Sequence, residues 1–371
     1  MERYIVFGMG PAGLFLTRQL KRAGFIVYGI GKEDDIGRYS NCLECYYSAE
    51  DIDSIKSIVL SLKKQKFSLK AYVCSDQYLT MFIEKWIEVF DILNFEEPGK
   101  ELLWNIADKE KLIEYCRSIG VRFPEEYASE FDSDKIHFPV VIKPNIKRGN
   151  SPIKKVTLIT NIAELKTFLD YAREKGLNEN ELIIQQFITG NNKFEYGYGG
   201  YFKKGVPVVD VTFMQLRQFP QGISCFACEI EDESKVKDIR ELVKPFIEAT
   251  HYNGFLQFDI KEDMSTGILY VLDINPRPWG SISILGPKCN THTIFDNDNF
   301  GTSEKIYWRF PFKELFSFKN KRNVSYSDIR IILGKRKWIR VIDIFDSRDK
   351  KPFFMQIPVA VKKCFKRVIR Y

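Results

Sequence analysis

Two apolar runs near residue 260 alternate strictly between buried and polar character. In 254–261, Leu256, Phe258 and Ile260 take one face while Gln257, Asp259 and Lys261 take the other. In 269–281, Asp273, Asn275 and Arg277 fall at alternate positions, and Leu272 and Ile274 are predicted to point into the core. The polar stretch 262–267, ending in Gly267, is turn-like, so the two runs read as a hairpin that sets Asp259 beside Asp273 and Asn275. Pro276 and Pro278 end the ladder and stiffen the chain where Arg277 must be aimed.

The same patterning divides the rest of the chain. A strand over 4–8 leads through Gly8-Met-Gly10-Pro-Ala-Gly13 into a helix reaching about Lys21, and a second strand covers 25–30. With Glu33 about 20 residues after the glycines, this has the form of a dinucleotide fingerprint. A polar loop at 37–41 and two amphipathic stretches, 50–64 and 78–91, follow. A helix starts over 104–109, with Asp108 as its N-cap, and stops at Gly120. A buried strand over 137–144 ends on Lys143, before a basic loop at 147–155 that could cradle phosphate. Beyond it come a strand at 156–159, a helix at 161–175, a strand at 181–188 and antiparallel strands at 194–202, 206–215 and 223–230. Arg217 falls in the Leu-Arg-Gln-Phe-Pro stretch linking the last two. A helix over 235–251 contains Pro245 and is predicted to kink or break there.

Composition narrows the chemistry. A chain of 371 residues predicts two or three domains, and three histidines argue against a His-based metal site or a His triad. Neither a signal peptide nor a membrane-spanning run is visible, so the expected location is the cytoplasm, with the eight cysteines reduced. Two Cys-x-x-Cys pairs occur, Cys42/Cys45 and Cys225/Cys228; the second lies on a strand, where i and i+3 face opposite sides, so idle thiols are expected over zinc. The net charge of +7 is uneven: residues 301–371 hold 19 Lys and Arg against 6 acids, or +13, leaving −6 for the remainder. That tail, with a predicted basic amphipathic helix at 359–371, is expected either to pack back on the core, to help shape an anionic substrate's site, or to touch a membrane or glycan machinery. No nucleic-acid partner is expected.

On the hairpin, carboxylates beside an amide oxygen suit a hard cation, and the adjoining Arg277 suits a phosphate or acyl phosphate. The order of these pieces resembles the ATP-grasp superfamily. The wording is most similar to the predicted ATP-grasp carboligases found with surface-polysaccharide genes, at Leu-Arg-Gln-Phe-Pro, at Phe-Asp-Ile-Lys-Glu-Asp and above all at Asp273-Ile-Asn275-Pro-Arg277-Pro-Trp-Gly-Ser.

The resemblance covers roughly residues 1–290 and implies an α/β (α+β) ATP-grasp fold. Its expected parts are a Rossmann-like pre-ATP-grasp domain at 1–100, an ATP-grasp domain at 101–300 with its small lobe about 125–190, and a basic extension at 301–371. It implies Lys109 and Lys143 on the phosphates of ATP, adenine at the hinge Gln185, Gln186, Phe187 and Ile188, and Glu195 on the ribose. Mg2+ or Mn2+ would sit on Asp259, Asp273 and Asn275, with Arg277 and Lys143 catalytic and Arg217 and Trp279 touching substrate. Two departures stand out: the metal carboxylates, usually Glu, are Asp here, and the phosphate loop has one Gly. The activity implied is ATP-dependent ligation of a carboxylate to an amine through an acyl phosphate, the acid being an amino acid or a sugar acid. A small-molecule kinase is the alternative within the fold, and a flavin- or NAD-binding oxidoreductase the alternative from the glycine turn.

Overall fold

The computed structural model describes residues 2–65, 68–93, 95, 99–127, 136–145, 153–154, 156–178, 181–191, 194–219, 222–289, 295, 304–317 and 339–368, without the side chains of 107, 315–317 and 361–368. Three sheets organise them. The N-terminal one is parallel, in the order β3-β2-β1-β4. It is built from β1 (Arg3–Phe7), α1 (Pro11–Arg22), β2 (Ile26–Gly31), β3 (Cys45–Ser48), α2 (Ile52–Lys63) and β4 (Leu69–Val73). Both faces of β1 are covered: Ile5 and Phe7 pack on one side, Tyr4 and Val6 on the other, which explains its unbroken apolar run. α3 (Asp76–Lys85), α4 (Val89–Ile92) and α5 (Lys100–Ala107) follow.

The glycine turn after β1 answers to packing. Gly8 has φ of +84°, and a Cβ there would lie 2.7 Å from that of Ser75. A Cβ on Gly13 would stand 2.1 Å from the Gly8 carbonyl oxygen, so α1 can cross β1 this closely only with glycine. At Gly10 a Cβ meets nothing within 4 Å.

Next come α6 (Lys109–Ser118), β5 (Glu126–Tyr127), β6 (Val140–Pro144), β7 (Thr157–Ile159), α7 (Ile162–Glu174) and β8 (Leu182–Gln186). The Asp108 carboxylate accepts from the Lys111 N–H at 3.2 Å and caps α6, as its sequence position predicts. Its extended backbone separates α6 from α5, so residues 104–107, expected in the same helix, end the preceding one. The four strands form an antiparallel sheet, β5-β8-β6-β7. The expected phosphate loop lies almost wholly outside the described residues.

The third sheet has seven strands in the order β13-β12-β9-β10-β11-β14-β15. They are β9 (Glu195–Lys203), β10 (Val206–Gln218), β11 (Ser224–Glu229), β12 (Gly254–Glu262), β13 (Leu269–Asn275), β14 (Ile306–Arg309) and β15 (Ile339–Ile342); α8 (Glu233–Ala249), α9 (Pro311–Ser317) and α10 (Lys351–Val368) complete the chain. Two expectations are corrected here. Arg217 lies within β10, not in a link after it, and α8 runs through Pro245 without a break. The stripe Val236, Ile239, Val243, Phe246 and Ile247 is buried against the sheet, and that burial outweighs one lost backbone bond. Cys225 and Cys228 fall in separate apolar clusters.

The C-terminal segment joins the core instead of trailing from it. β14 pairs with β11, and β15 adds a parallel edge. Arg18 of α1 donates to the Asp349 carboxylate at 2.9 Å and to the Ile344 and Asp349 carbonyls, while Ser40 donates to the same carboxylate. Asp343, fully buried, accepts from the Ser283 hydroxyl at 2.8 Å, and Ser283 accepts from the Trp308 indole N–H at 2.8 Å. Burial raises the Asp343 carboxyl to about 6, against lowering by Ser283 and by the charge of Lys313. Among the described residues no helix is long and apolar enough to cross a membrane.

Gly13→Ala should therefore cost about 1–3 kcal/mol, while Gly10→Ala should leave the urea midpoint nearly unchanged. Equal losses would contradict a packing origin for the glycine turn. Because the Asp343 carboxyl is raised on folding, its contribution is full below the unfolded value and is lost as pH rises through about 6. Asp343→Asn should thus gain stability relative to the parent between pH 4.5 and 7.5, measured by denaturant titration at both; a pH-independent difference would contradict this.

Candidate functional site

The hairpin predicted from alternation forms, and its register is Gln257 opposite Asn275, Phe258 opposite Ile274 and Asp259 opposite Asp273. A bulge then interrupts it, because Ile260 pairs with Val271 and Leu272 is the extra residue. The bulge switches which residues of β13 face inward. Leu269, Val271 and Ile274 join the core, whereas Leu272, expected inside, is half-buried and lines a recess with Lys109, Lys143, Gln185 and Asp273. Strict alternation fails at that single step.

The amides and carboxylates of the hairpin are linked. Asn275 donates to Gln257 Oε1 at 2.7 Å and to Asp259 Oδ2 at 3.3 Å, and Gln257 donates to Asp259 Oδ1 at 2.8 Å. Lys109, at the start of α6, has its Nζ 3.8 Å from Asp273 Oδ2. Arg277 is gripped from α3: its Nε and one terminal nitrogen donate to the two oxygens of Asp76, both at 2.6 Å, and it also donates to Asn275 Oδ1 at 3.2 Å. Burial would lower the Arg277 pKa, but the charge and hydrogen bonds of Asp76 leave it above its usual value.

Asp76, Lys109, Asp259, Asp273, Asn275, Arg277 and Trp279 all line one cavity of about 600 Å³. The sequence did not single out Asp76. The usable signal was its position at the first turn of α3, just past the carboxyl end of β4, where open α/β sheets place ligands. Gln257, on the polar face of its run in the sequence, lines the same cavity and holds Asp259.

The remaining candidates fall around this cavity or away from it. Lys143, next to last in β6, donates to Gln185 Oε1 at 3.0 Å; Gln185 in turn donates to Glu126 at 3.3 Å. Burial raises the Glu126 carboxyl, with Arg117 acting against it. In the hinge, the Gln186 N–H donates to Glu125 O at 2.8 Å and that of Phe187 to Pro139 O at 3.3 Å, while Ile188 is buried. Glu195 lies 3.6 Å from Lys261 and accepts from Gln218; Lys261 sits over the Phe187 ring, so Glu195 and the hinge share a neighbour.

Trp279 is 4% exposed, and its ring occupies the space a Cβ on Gly199 would fill, at 2.9 Å. It is thus packed and cavity-lining at once. Arg217 is the clear correction: 1% exposed, it pairs with the buried Glu314 of α9 and is not among the cavity's lining residues. A long cationic side chain in a strand end looks like a ligand contact until the helix that receives it is known.

The donor set suits a hard divalent cation. Asp259 and Asp273 face each other across the two strands, and an amide from Asn275 adjoins Asp259. Asn275 turns its nitrogen to Asp259 here, so its amide would reverse to offer oxygen with that carboxylate. Among the described residues no group of three or more His, Cys, Asp or Glu could hold a metal, so a cation would depend on these two carboxylates plus an amide oxygen or substrate oxygens.

No protein-family model matches the chain. A D-aspartate ligase of Enterococcus faecium (strain Aus0004) is 22% identical over 321 residues, spanning 79% of this chain and 72% of that protein. N5-carboxyaminoimidazole synthetase from Staphylococcus aureus, solved with ADP, superposes with a TM-score of 0.60 at 19% identity, covering 81% of this chain and 78% of that one. The L-amino acid ligase of Bacillus licheniformis gives 0.59 at 15% identity, over 79% and 72%. Biotin carboxylase from Campylobacter jejuni gives 0.61 at 14% identity, over 81% and 72%. With this agreement over four-fifths of its length, and with the hairpin, the four-stranded antiparallel sheet and the N-terminal parallel sheet described above, the chain has the ATP-grasp fold.

Proposed function

We propose that this chain is an ATP-dependent carboxylate–amine ligase that activates its acid as an acyl phosphate. The observation that carries the reading is the convergence of Asp259, Asp273, Lys109 and an anchored Arg277 on one cavity. The likeness to a D-aspartate ligase and to an L-amino acid ligase supports C–N bond formation and an amino acid or similar small acid as substrate.

In this reading Lys109 and Lys143 hold nucleotide phosphates. Both already border one recess with Asp273 and Gln185, and Gln185 fixes the Lys143 ammonium. The hinge from Gln185 to Ile188 receives adenine, Glu195 the ribose, and Asp259, Asp273 and Asn275 the magnesium. A magnesium ion held there would supply charge neutralisation for the transfer of the phosphoryl group. Arg277 orients the acid and its acyl phosphate. Its two bonds to Asp76 fix the guanidinium plane before substrate arrives, so little ordering remains to be done in the transition state. The amine then attacks the acyl carbon, phosphate leaves, and the nitrogen sheds its proton.

The test is ADP release from Mg-ATP over a panel of amino acids and sugar acids, each with and without an amine. Release that needs both acid and amine is expected; a stable phosphorylated product formed without amine would point to a kinase instead. Asp273→Ala should lower turnover by about 10²-fold or more, and Asp76→Ala by about tenfold through a loosened Arg277, with both proteins still folded by circular dichroism. Unchanged turnover in Asp273→Ala would remove the metal assignment.

A further inference from the structure

The cavity is also lined by residues beyond the hairpin: Trp308, Phe310 and Lys313 of the C-terminal segment. Its two other cations are already matched, Arg277 by Asp76 at 2.6 Å and Lys109 by Asp273 at 3.8 Å. Lys313 differs. Among the described residues no carboxylate lies within ion-pairing distance of its ammonium, whose described contact is the ring of Phe310, 4.6 Å from the centroid. Two more polar groups of residues lining the same cavity, Ser224 Oγ and the Trp279 indole N–H, are buried and have no hydrogen-bond partner among the described residues.

The lysine is held in place by its neighbour in sequence. Glu314, 2% exposed, accepts from Arg309 of β14 through two bonds of 2.8 Å and from Arg217 of β10. Consecutive residues on a helix point about 100° apart, so clamping Glu314 into the sheet turns Lys313 away from it, toward the cavity it lines. This gives the buried Arg217 a purpose: it positions α9. Burial also lowers the Lys313 pKa, with the nearby charge of Asp343 opposing, so an incoming anion would relieve a desolvated ammonium.

We propose that Lys313 is a specificity-determining residue that takes a second anionic group, carboxylate or phosphate, on the acid activated beside Arg277. The acid substrate is then at least a dianion, and a simple monocarboxylate is a poor one. This inference rests on the ligase reading above.

The experiment measures binding, not turnover. With MgADP present, dissociation constants are taken by calorimetry for butyrate, for succinate and glutarate, and for 3-phosphonopropionate, on the parent and on Lys313→Met. The parent is expected to prefer at least one of the two dianion classes over butyrate by about tenfold or more, which is the discrimination one ion pair supplies. Which class it prefers identifies the second anion as carboxylate or phosphate. Lys313→Met should erase that preference while leaving butyrate and MgADP affinities within about twofold, a pattern that general loosening of the fold would not produce. No dianion preference in the parent, or a preference that survives Lys313→Met, would overturn the proposal while leaving the ligase reading standing. Failure of the parent to bind MgADP would instead remove the nucleotide site and both readings with it.

Discussion

The register of the β12–β13 hairpin is the constraint on which the site depends. Side chains on a strand alternate with a period of two, so a slip of one residue would carry Asp273 and Asn275 into the apolar layer and bring Ile274 out. Two things prevent this. Phe258, Val271 and Ile274 are fully buried in one cluster, so any slip exposes them. The bulge at Leu272 absorbs one residue, letting Val271 and Ile274 both face inward while Asp273 keeps its place opposite Asp259. Burial thus sets the geometry of the carboxylates without touching them.

A second dependence runs between distant parts of the chain. Arg277 lies on a proline-stiffened segment, but its aim is set by Asp76, some two hundred residues earlier in the chain. The N-terminal sheet contributes that one carboxylate from the end of β4, and its glycine turn serves close packing of α1 on β1. Another part of the lining comes from the C-terminal segment, held through Arg18 with Asp349 and through Glu314 with Arg217 and Arg309. Three distant parts of the chain therefore close one cavity, each attached by an arginine–carboxylate pair; those of Arg18 with Asp349 and Arg217 with Glu314 are buried, and such pairs specify arrangement more than they add stability.

The basic C-terminus changes meaning in this light. Its charge reads from sequence as a patch for an anionic partner. In the fold, part of that charge is taken up within the chain: Arg309 is committed to Glu314, and Lys313 lines the cavity. Charge counts give the amount but not the direction in which each group points.

By itself the sequence determined whatever is periodic or local: the hairpin and its polar face, the Asp108 cap, the parallel N-terminal sheet, the Lys143 strand, and the motif leading to the ATP-grasp fold. These follow from side-chain alternation, capping and turn chemistry within short windows, where neighbours in sequence are neighbours in space. Tertiary structure alone decided the rest. It brought Asp76 to Arg277, withdrew Arg217 into a pair with Glu314, set Leu272 outside the core, and folded Lys313 back to the cavity. Each of these depends on a partner far away in the chain, and a side chain's role is fixed by what lies across from it once water has been excluded.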